Sequence, residues 1–224
     1  MSGSHHEIRV HNLYSNHMDQ KSGPPGRNGG TPPPSTGKAS ADETIRKKEE
    51  AKMKEMIEQI FGEVIAGDTP VKFERLGNSY AQTRWKYEME GDSVTVYPAS
   101  EVVFDAEKIE AMLAVLPEKA RKSYVRFLAL HEKRHVYQTK EKHELLIEAM
   151  FESIFNFEGH GTRPAELDAN TWACSQARNP LEKAVFALAK IEQELGGKLL
   201  ISDKDQQRFS RAMGLVLLAC AFTR

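Results

Sequence analysis

Eight histidines occur in the 224 residues, and four of them, at 131, 135, 143 and 160, fall inside a single thirty-residue stretch. That clustering is where chemistry is to be sought. The first two belong to His131-Glu132-Lys133-Arg134-His135, an H-E-x-x-H pattern. On a helix, residues four apart lie about 40° apart around the axis, so both imidazoles project side by side and can hold one zinc ion through neutral nitrogens. Glu132 lies about 100° from His131, next to that ion without being a ligand. There it can take a proton from a zinc-bound water and deliver it to a leaving amine. The competing reading is a solvated helix whose Glu132, Lys133, Arg134 and His135 are surface groups. The flanking residues Tyr124, Val125, Phe127, Leu128, Leu130 and Val136 argue against it, because they make this a core helix.

A tetrahedral zinc site with one position left for water needs a third protein ligand. A candidate lies thirty-one residues after His135, in RPAELDANTWA. HEKRHVYQ followed by Glu166-Leu167-Asp168-Ala169-Asn170 resembles the gluzincin branch of zinc metallopeptidases, whose second helix carries a Glu in an E-x-x-A-[DN] pattern. The resemblance covers roughly residues 93 to 178 and is closest to small cytosolic zincin-like proteins. It implies that His131 and His135 are the first two zinc ligands, Glu132 the general base and Glu166 the third ligand. It further implies that strand 93 to 97 is the sheet edge along which an extended peptide aligns. Asn170 stands where many relatives have Asp.

Asp168 is the rival carboxylate to Glu166. Pro164 suits the first turn of a helix over 164 to 177, which puts Glu166, Ala169, Asn170 and Ala173 on one face. Asp168, about 200° from Glu166, points away from it. Asn170 can then reach the second nitrogen of a ligand imidazole.

Other polar residues carry less. His143 lacks a second histidine at helical spacing and reads as a surface or core residue. His160, in the loop NFEGHGTRP, is weighed as a zinc or oxyanion contact against an ordinary loop residue. Tyr97 and Tyr124 are possible oxyanion donors but read better as core. Trp172, the stripe Leu181, Val185, Leu188, Ile191 and Leu195, and the C-terminal helix through Leu215, Val216, Leu218 and Phe222 read as packing, with a dimer face as the alternative for the last.

The elements that must position these groups follow from pattern and composition. Hydrophobic residues make up 40% and charged residues 28%, as in a globular protein, which excludes collagen, coiled-coil and wholly disordered chains. The net charge of -1 supplies no global field for nucleic acid or an anionic membrane, so neither is an expected partner. Cys174 and Cys220 lack CxxC spacing and read as buried thiols in a reducing compartment. The longest apolar run, Met213 to Phe222, is half of what a membrane span requires, and the N-terminus has no signal-peptide core, so a cytoplasmic protein is expected.

Residues 22 to 41 are almost entirely Gly, Pro, Ser and Thr, and residues 1 to 41 are expected to form a disordered arm. Residues 42 to 224 are expected to be one domain. An amphipathic helix carries Ile45, Met53, Met56, Ile57, Ile60, Phe61 and Ile65 and stops at Gly67. Strands follow over 71–73, 80–87 and 93–97, separated by Gly77-Asn78 and Gly91-Asp92. Helices are expected over 105–115, 117–143, 144–156, 164–177, 180–195 and 204–222. The fold class is α+β, zincin-like, a small twisted sheet followed by a helical stack. The expected function is zinc-dependent hydrolysis of a peptide or protein substrate. Two alternatives stay open: a zincin-like regulatory or binding module without catalysis, and a metal-free helical interaction protein.

Overall fold

The computed structural model describes residues 6–9, 38–65, 67–76, 79–91, 93–155, 163–195 and 202–223. Their order is β1 (His6–Arg9), α1 (Lys38–Ile65), β2 (Val71–Phe73), β3 (Ala81–Glu90), β4 (Ser93–Val96), β5 (Glu101–Phe104), α2 (Ala106–Ala114), α3 (Glu118–Glu141), α4 (His143–Phe155), α5 (Pro164–Ser175), α6 (Pro180–Glu194) and α7 (Asp203–Phe222). The class is α+β, with helices predominating among the described residues. The sheet is mixed and runs β1-β3-β5-β2, with β4 pairing the far end of β3. Only β2 and β5 are parallel; β3 pairs β1, β4 and β5 antiparallel.

Helix α3 is the axis of the molecule. Its residues Tyr124, Val125, Phe127, Leu128 and Ala129 are buried among α1, α6 and the sheet. From α1 come Ile57, Phe61 and Ile65, at i, i+4 and i+8, with the Phe61 ring stacked on Phe104 of β5 at 3.4 Å between centroids. From α6 come Leu181, Val185 and Leu188, the stripe expected to pack. Each such side chain, fully buried, contributes about 1.5–3 kcal/mol, so the helix carrying the histidines is held on several sides. Gly67, at φ +145°, ends the α1 chain reversal in a conformation that a side chain would strain. Asp105 caps α2 by accepting from the Lys108 amide and also accepts from the Leu76 amide at 2.8 Å, tying the loop after β2 to the helix.

The structure corrects the sequence reading at several points. Within residues 1–41, expected as a disordered arm, lie β1, which pairs β3, and the first residues of α1. Residues 10–37 lie outside the described residues. Strand β5 was not expected at all. It lies between β2 and β3, and Val102, Val103 and Phe104 are completely buried, so it shows a continuous apolar run instead of alternation. On α7, expected as core, only Ala212 and Val216 are buried. Leu215, Leu217 and Leu218 are more than half exposed and Phe222 is 80% exposed. Both cysteines are half-buried. No helix among the described residues is long and apolar enough to cross a membrane.

Candidate metal centre

Two helices build the centre. On α3 the stretch from Ser123 to His135 is almost continuously buried, so His131, Glu132 and His135 are carried by its interior face. Helix α5 packs across it through Ala165, Ala169 and Ala173, all buried, and these small side chains let the two backbones approach. Glu166 and Asn170 share that face of α5, as helical spacing predicts, and both are buried.

The donor atoms converge. His131 Nε2 and His135 Nε2 are 3.0 Å apart, Glu166 Oε2 is 3.2 Å from His131 Nε2, and Glu166 Oε1 is 3.5 Å from His135 Nε2. One ligand atom from each of the three residues lies within 4.8 Å of the others. The second ring nitrogens fix the tautomers. His131 Nδ1 donates to Asn170 Oδ1 at 3.0 Å, and His135 Nδ1 donates to Gln138 Oε1 at 2.8 Å. Both Nε2 lone pairs therefore face one another and a carboxylate. A buried set of lone pairs repels itself unless a cation sits among them, and two imidazoles plus one carboxylate are a donor set that divalent transition metals take. The residues fit a metal ion. The same attraction acts on a proton: burial pushes the His135 pKa down, but the carboxylates of Glu166 and Glu132 outweigh it and bring it up to about 9.

Glu132 is buried and is not one of the three converging donors. Its Oε2 accepts from the Thr83 hydroxyl of β3 at 2.7 Å. The strand over the centre is thus β3, whereas strand 93–97, expected to be the edge beside the metal, lies as β4 against residues 87–90 at the other end of β3. Between β3, α3, α4 and α5 is a pocket of about 10 Å³ lined by Ala81, Gln82, Thr83, Trp85, Glu132, His135, Leu146 and Glu166. That is room for about one water.

Asp168 points away from the centre, as its helical angle requires. It takes a two-pronged pair from Arg134, at 2.6 and 3.0 Å, and approaches Lys142 at 3.5 Å. Burial alone would raise its pKa; hydrogen bonds from Arg134 and Gln138 outweigh that and hold it near 2. Gln138 was missed by the sequence reading. It is completely buried, and its Nε2 donates to Ala165 O and to Asp168 Oδ2, both at 2.9 Å, while its oxygen holds His135. The signal available was a polar residue three positions after His135 on the same helix face. Thr83, forty-nine residues from Glu132 in sequence, left no such signal.

The remaining candidates fall outside the centre. His143 is exposed at the start of α4, and His160 lies outside the described residues. Tyr124 is core, as expected, and its hydroxyl donates to Glu192. Tyr97, just after β4, is not core: it is 41% exposed and its hydroxyl donates to Glu88. Asn170 Nδ2 is buried with no partner among the described residues, the consequence of an amide where one acceptor suffices. Comparison of the chain with protein-family models, with curated proteins and with solved structures finds no match in any of the three.

Proposed function

We propose that this protein is a zinc-dependent peptidase in which His131, His135 and Glu166 hold the ion and Glu132 is the general base. The observation that carries the reading is the buried triad whose two imidazoles are each locked at Nδ1 by a side-chain amide, with a second buried acid, Glu132, beside it that is tied elsewhere. A zinc ion bound there supplies a Lewis acid that makes water acidic near neutral pH and polarises a peptide carbonyl. Glu132 accepts the proton that the attacking water gives up and passes it to the departing amine nitrogen. Thr83 donates to one carboxylate oxygen, Oε2, which leaves Oε1 to take the proton. Asn170 and Gln138 keep the protons of both imidazoles on Nδ1, so that both Nε2 atoms stay available to the ion. The likeness to gluzincins in H-E-x-x-H and E-x-x-A-N supports the same assignment. The water-sized pocket favours a second reading, a buried metal site that only stabilises a binding module. Glu132→Gln separates the two. Under the peptidase reading the variant keeps its zinc and loses about 10²–10⁴-fold in turnover on a peptide library. Equal turnover in both proteins overturns the mechanism.

A further inference from the structure

The centre has space for one water, yet a peptide must reach it in extended form, and the strand that bonds Glu132 and lines the pocket is β3. An extended peptide gains its affinity by adding to a sheet edge through main-chain hydrogen bonds. One edge of β3 is filled by β5, which pairs residues 81–84, and by β4, which pairs residues 87–90. The other edge is taken by β1. Arg84 pairs both Arg9 and Glu101, and Tyr87 pairs both His6 and Val96, so β1 lies opposite β5 and β4. The strand runs antiparallel to β3, from His6 beside Tyr87 to Arg9 beside Arg84. It therefore heads toward the metal and its pairing ends one position before Thr83, the residue bonded to Glu132.

We infer that β1 is a tethered substrate-like strand: the N-terminal segment of this chain occupies, on the edge of β3 that leads to the metal centre, the place an extended peptide must take, and has to leave before one enters. The inference rests on the peptidase reading for the word substrate, and on the strand pairing alone for the competition. Four residues make few ladder bonds, so β1 binds weakly by itself. Because β1 belongs to the same chain, its effective concentration at the edge exceeds that of a dilute competitor, while a longer or better-fitting peptide displaces it.

The test uses the full chain. In an antiparallel ladder alternate residues face the partner, so one of Glu7 and Ile8 donates its amide to β3, and the double variant Glu7→Pro/Ile8→Pro removes that donor whichever it is. A fluorescent synthetic peptide of residues 4–13 is titrated, with chelator present so that its histidines bridge no metal. It should bind the proline variant at least tenfold more tightly than the wild type, and the amides of residues 84–87 that face β1 should exchange faster in the variant. Equal affinity for both proteins, or unchanged exchange, overturns the inference. A second variant, Glu7→Cys/Lys86→Cys, joins a directly opposed pair and should refuse the peptide when oxidised and accept it when reduced. Binding that ignores the disulfide likewise overturns it. Peptide turnover of the zinc-loaded proteins is read alongside, and kcat/KM should rise at least tenfold in the proline variant. If the affinities shift as expected while neither protein cleaves any peptide, the competition for β3 stands and the peptidase reading falls.

Discussion

Gln138→Leu tests the centre through a residue that touches no metal ligand atom. The substitution keeps most of the side-chain volume and deletes three hydrogen bonds, to His135 Nδ1 at 2.8 Å and to Ala165 O and Asp168 Oδ2 at 2.9 Å each. Asp168 is partly exposed and retains Arg134, so its loss is small. His135 Nδ1–H and Ala165 O are buried and are left without these partners, at about 1–3 kcal/mol each. The metal-free variant should therefore lose about 2–6 kcal/mol in urea unfolding, which a domain of ordinary stability survives at the lower end of that range. With its ring no longer held, His135 should bind metal about 10–100-fold more weakly. The assay is zinc titration against a chromophoric chelator. Gln138→Glu runs alongside because it keeps an acceptor for His135, cannot donate to Ala165 O, and brings a second carboxylate to Asp168. It should fall between wild type and Gln138→Leu in zinc affinity. A folded Gln138→Leu protein with wild-type zinc affinity would refute the argument that Gln138 orients a ligand imidazole.

Three further outcomes are expected. Glu166→Ala should abolish tight zinc binding, whereas Asp168→Ala, whose carboxylate meets Arg134 and Gln138 but not the donor cluster, should still bind the ion; chelator titration of both reads the difference, and the reverse order would transfer the ligand role. Thr83→Val should leave zinc affinity unchanged and reduce turnover, because it frees the Glu132 carboxylate from the hydroxyl that orients it; weaker zinc binding would place Thr83 in the ligand shell. Glu192 sits buried on α6, where burial raises its pKa from 4.5 to about 7 against the opposing effect of the Tyr124 hydroxyl. The folded protein thus keeps a proton that the unfolded chain releases above its ordinary pKa. The stability tied to Glu192 is complete at low pH, falls as pH rises toward about 7, and levels off beyond, a change on the order of 3 kcal/mol. Urea unfolding at several pH values should show a shallower slope over that window for Glu192→Gln, and identical slopes would contradict the assignment.

What the sequence determined by itself is what depends on local spacing. The helix bearing His131, Glu132 and His135, the face of α5 bearing Glu166 and Asn170, and the exclusion of Asp168 from that face all follow from 100° per residue, so they were legible before any contact was known. The apolar stripes of α1 and α6 follow in the same way. Tertiary structure decided whatever joins residues distant along the chain. That Glu132 meets Thr83 instead of solvent, that Gln138 bridges His135 to the Ala165 carbonyl, and that β5 is buried between two strands depend on how helix and sheet are laid together, which no periodicity encodes. The apolar residues of α7 make the same point from the other side. Leu215, Leu218 and Phe222 have the composition of core, but burial belongs to the surface an element meets, and α7 meets the body only through the face bearing Ala212 and Val216. The strand β1 is the extreme case: four residues in an otherwise polar, Gly- and Pro-rich segment acquire structure because β3 has an edge to fill, a property of the sheet and not of the segment.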